Sequence, residues 1–358
     1  MRAPPRGDTD DTLGGMGSLR MAARVLLLLA GVSAAPCGAQ QPGLQHAVLG
    51  DDAQLDSQLK AIAAAHHGKV AVYAHDLRTG RTAALAADEP VKTASTIKLG
   101  ILLDAAEQIR AGTASFDEKL VLTKENQAPG SGVLGQLTTP LTLTLRDVLQ
   151  LMVVVSDNTA ANMAIDRLGL EHINATLRAA GLKQTALYKK IFVPATSPMS
   201  AEQQSGVAQF GLGKTTAREM ASIMERFAEC RLALDGGAVL PGDGLLCGAM
   251  LHMLRSQQDR DGIPRYIEAL DTSGHGSAIA NKTGALDQVR NDVALIATKD
   301  GPLVIAAFTW DNADQRWTGD NEGQKTLGRL AQAVVGRWAP DGLDAGAFPW
   351  DDPLASER

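Results

Sequence analysis

A chain of 358 residues with 45% hydrophobic and 21% charged side chains is long enough to bury a core without metal or disulfide staples. Its composition is too ordinary for wholesale disorder, collagen-like repetition or a polytopic membrane protein. Against 40 Asp and Glu, 34 Lys and Arg leave a net charge of −6, which disfavours a protein that coats nucleic acid, and 4% aromatic residues make a poor base-stacking platform.

Near the front, residues 25–30 form the apolar run Val-Leu-Leu-Leu-Leu-Ala, preceded by Arg20 and Arg24 and followed by small residues up to Ala39. This is the layout of a secretory signal peptide, too short for a membrane anchor. Pro36 blocks processing after Ala35, so cleavage is expected between Ala39 and Gln40, with Met16 or Met21 as alternative starts. The expected product is periplasmic or secreted, a monomer without stable membrane insertion. Cys37 falls in the removed segment. Cys230 and Cys247 remain, and in an oxidising compartment they can pair, two separate buried thiols being the alternative.

Asp51–Ala65 carries Leu55, Leu59 and Ile62 at helical spacing and predicts an amphipathic helix. Val70–His75 and Arg81–Ala86, joined through Asp76-Leu77-Arg78-Thr79-Gly80, predict a hairpin. From Ser95 the signals turn helical, over 95–110, 145–155, 159–168, 171–180, 215–229 and 243–256. Strand-like segments return at 277–283, 291–297 and 302–309, and 320–337 closes as a helix with Leu327, Leu330, Val334 and Val335 on one face. The order predicts an α/β fold of the α+β kind. An antiparallel sheet flanked by N- and C-terminal helices (40–92 and 276–340) packs on an all-helical insert (93–275), with a cleft where they meet. Residues 341–358, rich in Gly, Pro and Asp, read as a flexible tail.

Three short motifs carry chemistry. Ser95-Thr96-Ile97-Lys98 opens a helix and puts the lysine one turn from the serine. A serine is a poor nucleophile until a base takes its proton, and a lysine serves as that base only when burial or nearby positive charge lowers its pKa. Alone, the pair reads more readily as an N-cap serine and a solvated lysine. Ser156-Asp157-Asn158 lies between two helical runs, where it can aim a second hydroxyl and an amide into a cleft. Lys282-Thr283-Gly284 ends a strand-like run, where an edge can pair with an extended substrate, bind its carboxylate and let it approach closely.

The set Ser-x-x-Lys, Ser-Asp-Asn and Lys-Thr-Gly, in this order, resembles that of the class A β-lactamase-like serine hydrolases, with a likeness running from about residue 50 to 338. The resemblance implies roles. Ser95 is the acylated nucleophile, Lys98 its proton partner, Ser156 the proton shuttle and Asn158 a ligand of the substrate amide. Lys282, Thr283 and Gly284 receive the substrate and its carboxylate. Backbone N–H groups of Ser95 and of Ala285 or its neighbour form the oxyanion hole, and Arg290 supplies further positive charge. No cofactor or metal is implied, and the partner is a small β-lactam or a peptidoglycan-like substrate, not nucleic acid.

One element departs from the family's pattern. The glutamate that activates the deacylating water is not obvious: counting forward from Ser156 reaches Ile191-Phe192, and counting back from Thr215-Thr216 reaches Glu202, without the asparagine expected four residues on, where Gly206 stands. Glu202 is the candidate base, and Asn162 matches a residue that braces this loop. The leading expectation is a serine β-lactamase. A penicillin-binding (DD-peptidase) or esterase-like hydrolase is the alternative if deacylation fails, and a non-catalytic cell-wall binding module is a further one. Gly211-Leu212-Gly213-Lys214-Thr215 lacks the leading glycine and strand of a phosphate loop, and the scattered histidines lack zinc-hydrolase spacing.

Overall fold

The computed structural model describes residues 52–193, 198–232, 234 and 240–350. The leader segment, its cleavage site and residues 351–358 lie outside the described residues.

The chain begins with α1 (Ala53–Ala64), capped by the Asp52 side chain, and the hairpin β1 (Lys69–Asp76) and β2 (Thr82–Leu85). After β3 (Val91–Lys92), a 3-10 turn at Ala94–Ile97 runs into α2 (Lys98–Arg110). Then follow β4 (Lys119–Leu122), β5 (Leu141–Thr144), α3 (Leu145–Val154), α4 (Asn158–Leu168) and α5 (Leu170–Ala179). The next elements are β6 (Ala186–Leu187), α6 (Ala201–Phe210), β7 (Gly213–Thr215), α7 (Ala217–Ala228) and α8 (Asp243–Arg255). Last come β8 (Ile279–Leu286), β9 (Val289–Ile296), β10 (Leu303–Trp310) and α9 (Glu322–Trp338).

Five strands form one antiparallel sheet in the order β2-β1-β10-β9-β8, which leaves β8 on an edge. Both faces are covered. Alternate residues point to opposite faces. Val72, Ile305 and Ala307 therefore pack against Leu327, Leu330 and Val334 of α9, while Tyr73, Ala306 and Phe308 pack toward α2 and α7. Burial on both sides explains why β10 reads as a continuous apolar run, Leu-Val-Ile-Ala-Ala-Phe, where a half-exposed strand would alternate. At the centre of the helical layer, every residue from Lys98 to Ala106 in α2 is buried, as a helix enclosed on all sides requires.

Two expectations are corrected. The insert is not all helical: it contains the antiparallel pair β4–β5 and also β6 and β7, which join β3 in a small sheet, and strands of two to four residues are too short to carry a period-two pattern. Residues 341–350 are docked, not a free tail. Leu343 is fully buried and bridges Asp271 and Thr298, the Arg255 guanidinium lies 4.4 Å from the Phe348 ring centre, and Trp350 Nε1 donates to Ala228 O at 2.9 Å. A Gly- and Asp-rich composition signals irregular backbone, but these side chains still bury. Cys230 and Cys247, across the α7–α8 connection, form a disulfide with Cα atoms 5.7 Å apart.

Candidate active site

The three motifs meet where edge strand β8 passes the start of α2. Gly284 is required there: a Cβ on it would lie 2.9 Å from Thr93 O and Thr96 N and 3.0 Å from Ser95 N, so only a bare backbone lets the strand approach the serine amide. On the same sheet face, Asn291, paired opposite Gly284, donates its side-chain amide to Lys92 O and Thr93 O at 2.9 and 3.2 Å. Together they fasten the segment before Ser95 to the sheet. Ala94 is held in the left-handed region at φ 46°, as is Ser156 at φ 54°. Strained non-glycine backbone at both hydroxyl-bearing motifs marks places where surrounding contacts over-determine the geometry.

Ser156 lies between α3 and α4, and its neighbour Asp157 fixes the turn. One Asp157 carboxylate oxygen caps α4 through Ala160 N at 2.9 Å, and the other accepts from Val133 N and Leu134 N at 2.6 and 2.8 Å. A Cβ at Gly132 would fall 2.2 Å from that carboxylate carbon, so the loop must be bare there. The Ser156 hydroxyl stands between two lysine nitrogens, 3.2 Å from Lys98 Nζ and 3.0 Å from Lys282 Nζ. Lys98 also donates to Ser156 O at 2.6 Å and Asn158 Oδ1 at 3.0 Å, and Lys282 to Thr283 O at 2.8 Å.

Both lysines are fully buried. Lost solvation, reinforced by the charge on Lys282, holds the Lys98 pKa well below the ordinary lysine value against an opposing pull from Asp157. Burial brings Lys282 down to about 8, opposed by Asp259 and Asp292. The arrangement offers a lysine whose charged form is disfavoured, a hydroxyl able to relay a proton, and a second cation. Asp292, buried and behind Lys282 in the sheet, accepts from Asn281 Nδ2 at 3.0 Å and Ile263 N at 2.8 Å, yet burial pushes its carboxyl up to about 7. Spacing from the motifs gave no signal for this group.

A cavity of about 690 Å³ opens over the nucleophile, lined by Ser95, Asn158, Lys189, Lys190 and Ala285, with Ile191, Phe192, Phe210, Leu212, Leu286 and Trp317 as its apolar walls. Glu202 does not line it. This glutamate sits exposed in the first turn of α6, beside a separate depression with Glu171, Arg178 and Tyr188, so the structure does not bring the expected deacylation base to Ser95. The reason is local. Asn162 clasps the backbone of Ile191 with both amide atoms, Nδ2 to Ile191 O at 2.9 Å and Oδ1 from Ile191 N at 2.8 Å, so the brace falls on an apolar residue. The extra length beyond it folds as α6, where Gly206 packs against the Tyr188 ring. Arg290 is corrected as well: its buried guanidinium donates to the carbonyls of Leu286, Val289 and Arg316 and stacks on Trp317, 4.8 Å from a ring centre, so its donors are committed to the protein's own backbone.

The fold and the buried Lys-Ser-Lys cluster beside an edge strand place the chain in the serine β-lactamase fold class. Residues 54–338 match the model of the β-lactamase enzyme family, and the chain belongs to that family. It is 26% identical over 315 residues to β-lactamase 1 of Streptomyces cacaoi, covering 82% of this chain and 89% of that protein. It spans about half the length of two other curated relatives, among them β-lactamase AER-1 of Aeromonas hydrophila, 28% identical over 39% of this chain and 46% of the relative. Among solved structures, the β-lactamase of Sphaerobacter thermophilus shares 30% identity at a TM-score of 0.63 over 78% of this chain and 95% of that one. A point mutant of PBP-A, in an acyl-enzyme complex with penicillin G, shares the fold at a TM-score of 0.64 and 23% identity, over 79% of this chain and 96% of that one.

Proposed function

We propose that the protein, after export, forms an acyl-enzyme on Ser95 with β-lactams and related peptidoglycan-like amides, and releases it slowly. Neutral Lys98 accepts the Ser95 hydroxyl proton as the serine oxygen bonds to the carbonyl carbon, and backbone N–H groups beside β8 hold the oxyanion. As the carbon–nitrogen bond breaks, the Ser156 hydroxyl gives its proton to the leaving nitrogen and regains one from Lys98, which returns to the neutral form. Lys282 and Thr283 hold the substrate carboxylate. The supporting observation is the Ser156 hydroxyl within hydrogen-bond reach of both buried lysines.

Release is the slow step in this reading because the residue braced by Asn162 is Ile191, whose side chain cannot activate water. The penicillin-binding alternative is therefore favoured over efficient β-lactam turnover. The family match and the names of relatives support the β-lactamase reading, which requires another group to serve as base. The Cys230–Cys247 disulfide supports an oxidising, extracytoplasmic location. Exposing the protein to benzylpenicillin and mapping the adduct by peptide mass is the test. A stoichiometric adduct on Ser95, absent from Ser95→Ala, is expected; reversible binding without any adduct contradicts the proposal and favours a binding module.

A further inference from the structure

The cavity wall beyond the lysines is built from solvent-facing apolar side chains. Phe192 and Trp317, at 66% and 65% exposure the two most exposed large apolar residues among those described, both line it, as does Leu286 at 41%. Exposed apolar groups gathered at one concave site mark a binding surface, whereas scattered ones are ordinary.

Trp317 is also held in place. Its Nε1 donates to Asp287 Oδ1 in the β8–β9 turn at 3.2 Å, and the Arg290 guanidinium lies 4.8 Å from its ring. Arg290 is itself anchored by three backbone carbonyls, those of Leu286, Val289 and Arg316, which tie the Trp317 loop to the strand turn. A ring immobilised before ligand arrives loses little entropy on binding. Strand direction orients the ligand. From Lys282 to Leu286, at about 3.3 Å per residue, the edge of β8 runs about 13 Å, from a cation to an apolar end.

We infer that Trp317, with Leu286 and Phe192, is a specificity platform selecting acyl donors that carry an aromatic acyl substituent at the end opposite their carboxylate. The inference rests on the acyl-enzyme reading for which end of the ligand meets Lys282, but its test does not require acylation. In Ser95→Ala, which cannot react, calorimetry measures affinity for benzylpenicillin and for the penicillin nucleus lacking the acyl group. A preference of about tenfold or more for the aryl compound is expected, falling to within about twofold on adding Trp317→Ala and largely restored by Trp317→Phe. Trp317 is mostly exposed, so its truncation leaves the core intact. Equal affinities in Ser95→Ala, no binding of the aryl compound, or a preference that survives Trp317→Ala overturns the inference. A preference lost with Trp317, in a protein whose Ser95 takes no adduct, upholds the platform and overturns only the acyl-enzyme reading.

Discussion

Replacing Ile191 with glutamate should convert a stalled acyl-enzyme into a turning-over one. The backbone at this position is held by Asn162 whatever the side chain, and the isoleucine is 8% exposed on the wall of the Ser95 cavity. A glutamate there presents a carboxylate to water approaching the ester, and partial burial raises its pKa toward the range of an effective general base. General-base assistance contributes about 10²–10⁴-fold, equivalent to about 3–5 kcal/mol of barrier. Loss of a buried aliphatic side chain costs about 2 kcal/mol of stability, and desolvating the carboxylate adds to it. The protein is acylated with benzylpenicillin, freed of excess reagent by gel filtration, and followed by intact mass as the unmodified species returns. Ile191→Glu should deacylate at least about 100-fold faster than the parent, and Ile191→Gln, matched in shape but without a base, should not. Equal rates for the two variants, or no acceleration in a folded Ile191→Glu that still acylates, would refute the reasoning.

Other outcomes follow from the same geometry. Gly284→Ala places a methyl group against the backbone of residues 93–96 and should slow Ser95 acylation by about 100-fold or more, measured as the second-order rate of adduct formation. Asp292 has a folded pKa of about 7 against an ordinary 3.8, so its contribution to stability is present at acid pH and is lost as pH rises from 3.8 through about 7. Between pH 5 and 8 this amounts to about 3 kcal/mol, and denaturant midpoints should show that Asp292→Asn removes the decline. Acylation should rise with pH as Lys98 loses its proton and fall above about pH 8 as Lys282 loses its own. Because Asp292 supports the charged form of Lys282, Asp292→Asn should move the alkaline limb to lower pH.

Much of this site was legible in the chain because its residues fall at element boundaries, where local chemistry is dense. Ser95, Lys98, Ser156, Asn158 and Lys282 come together as their motifs implied. Glu202 misled because the segment from Ile191 to Thr215 is longer than the family's pattern. α6 begins with a Ser200–Gln203 capping box, but Gly206 is the one buried residue in its span, so no apolar stripe announces a helix. Forward counting from Ser156 reached Ile191-Phe192, and Ile191 is the residue that Asn162 clasps, since this brace depends on α4 and not on loop length. Arg290 misled differently: it lies in β9, one residue before the predicted strand segment, and sequence spacing carries no record of the carbonyls of Leu286, Val289 and Arg316 that occupy its donors. Trp317 and Asp292 were silent because neither belongs to a motif; tertiary packing alone brings them to the site.

The most direct test of the central claim is a quenched-flow time course of the full-length protein with a chromogenic cephalosporin, following product release and Ser95 adduct in the same samples. A burst approaching one product per chain, with the adduct persisting while turnover continues slowly, is the predicted result. Fast linear hydrolysis with no accumulated adduct would contradict it, showing that deacylation proceeds efficiently without a carboxylate at residue 191.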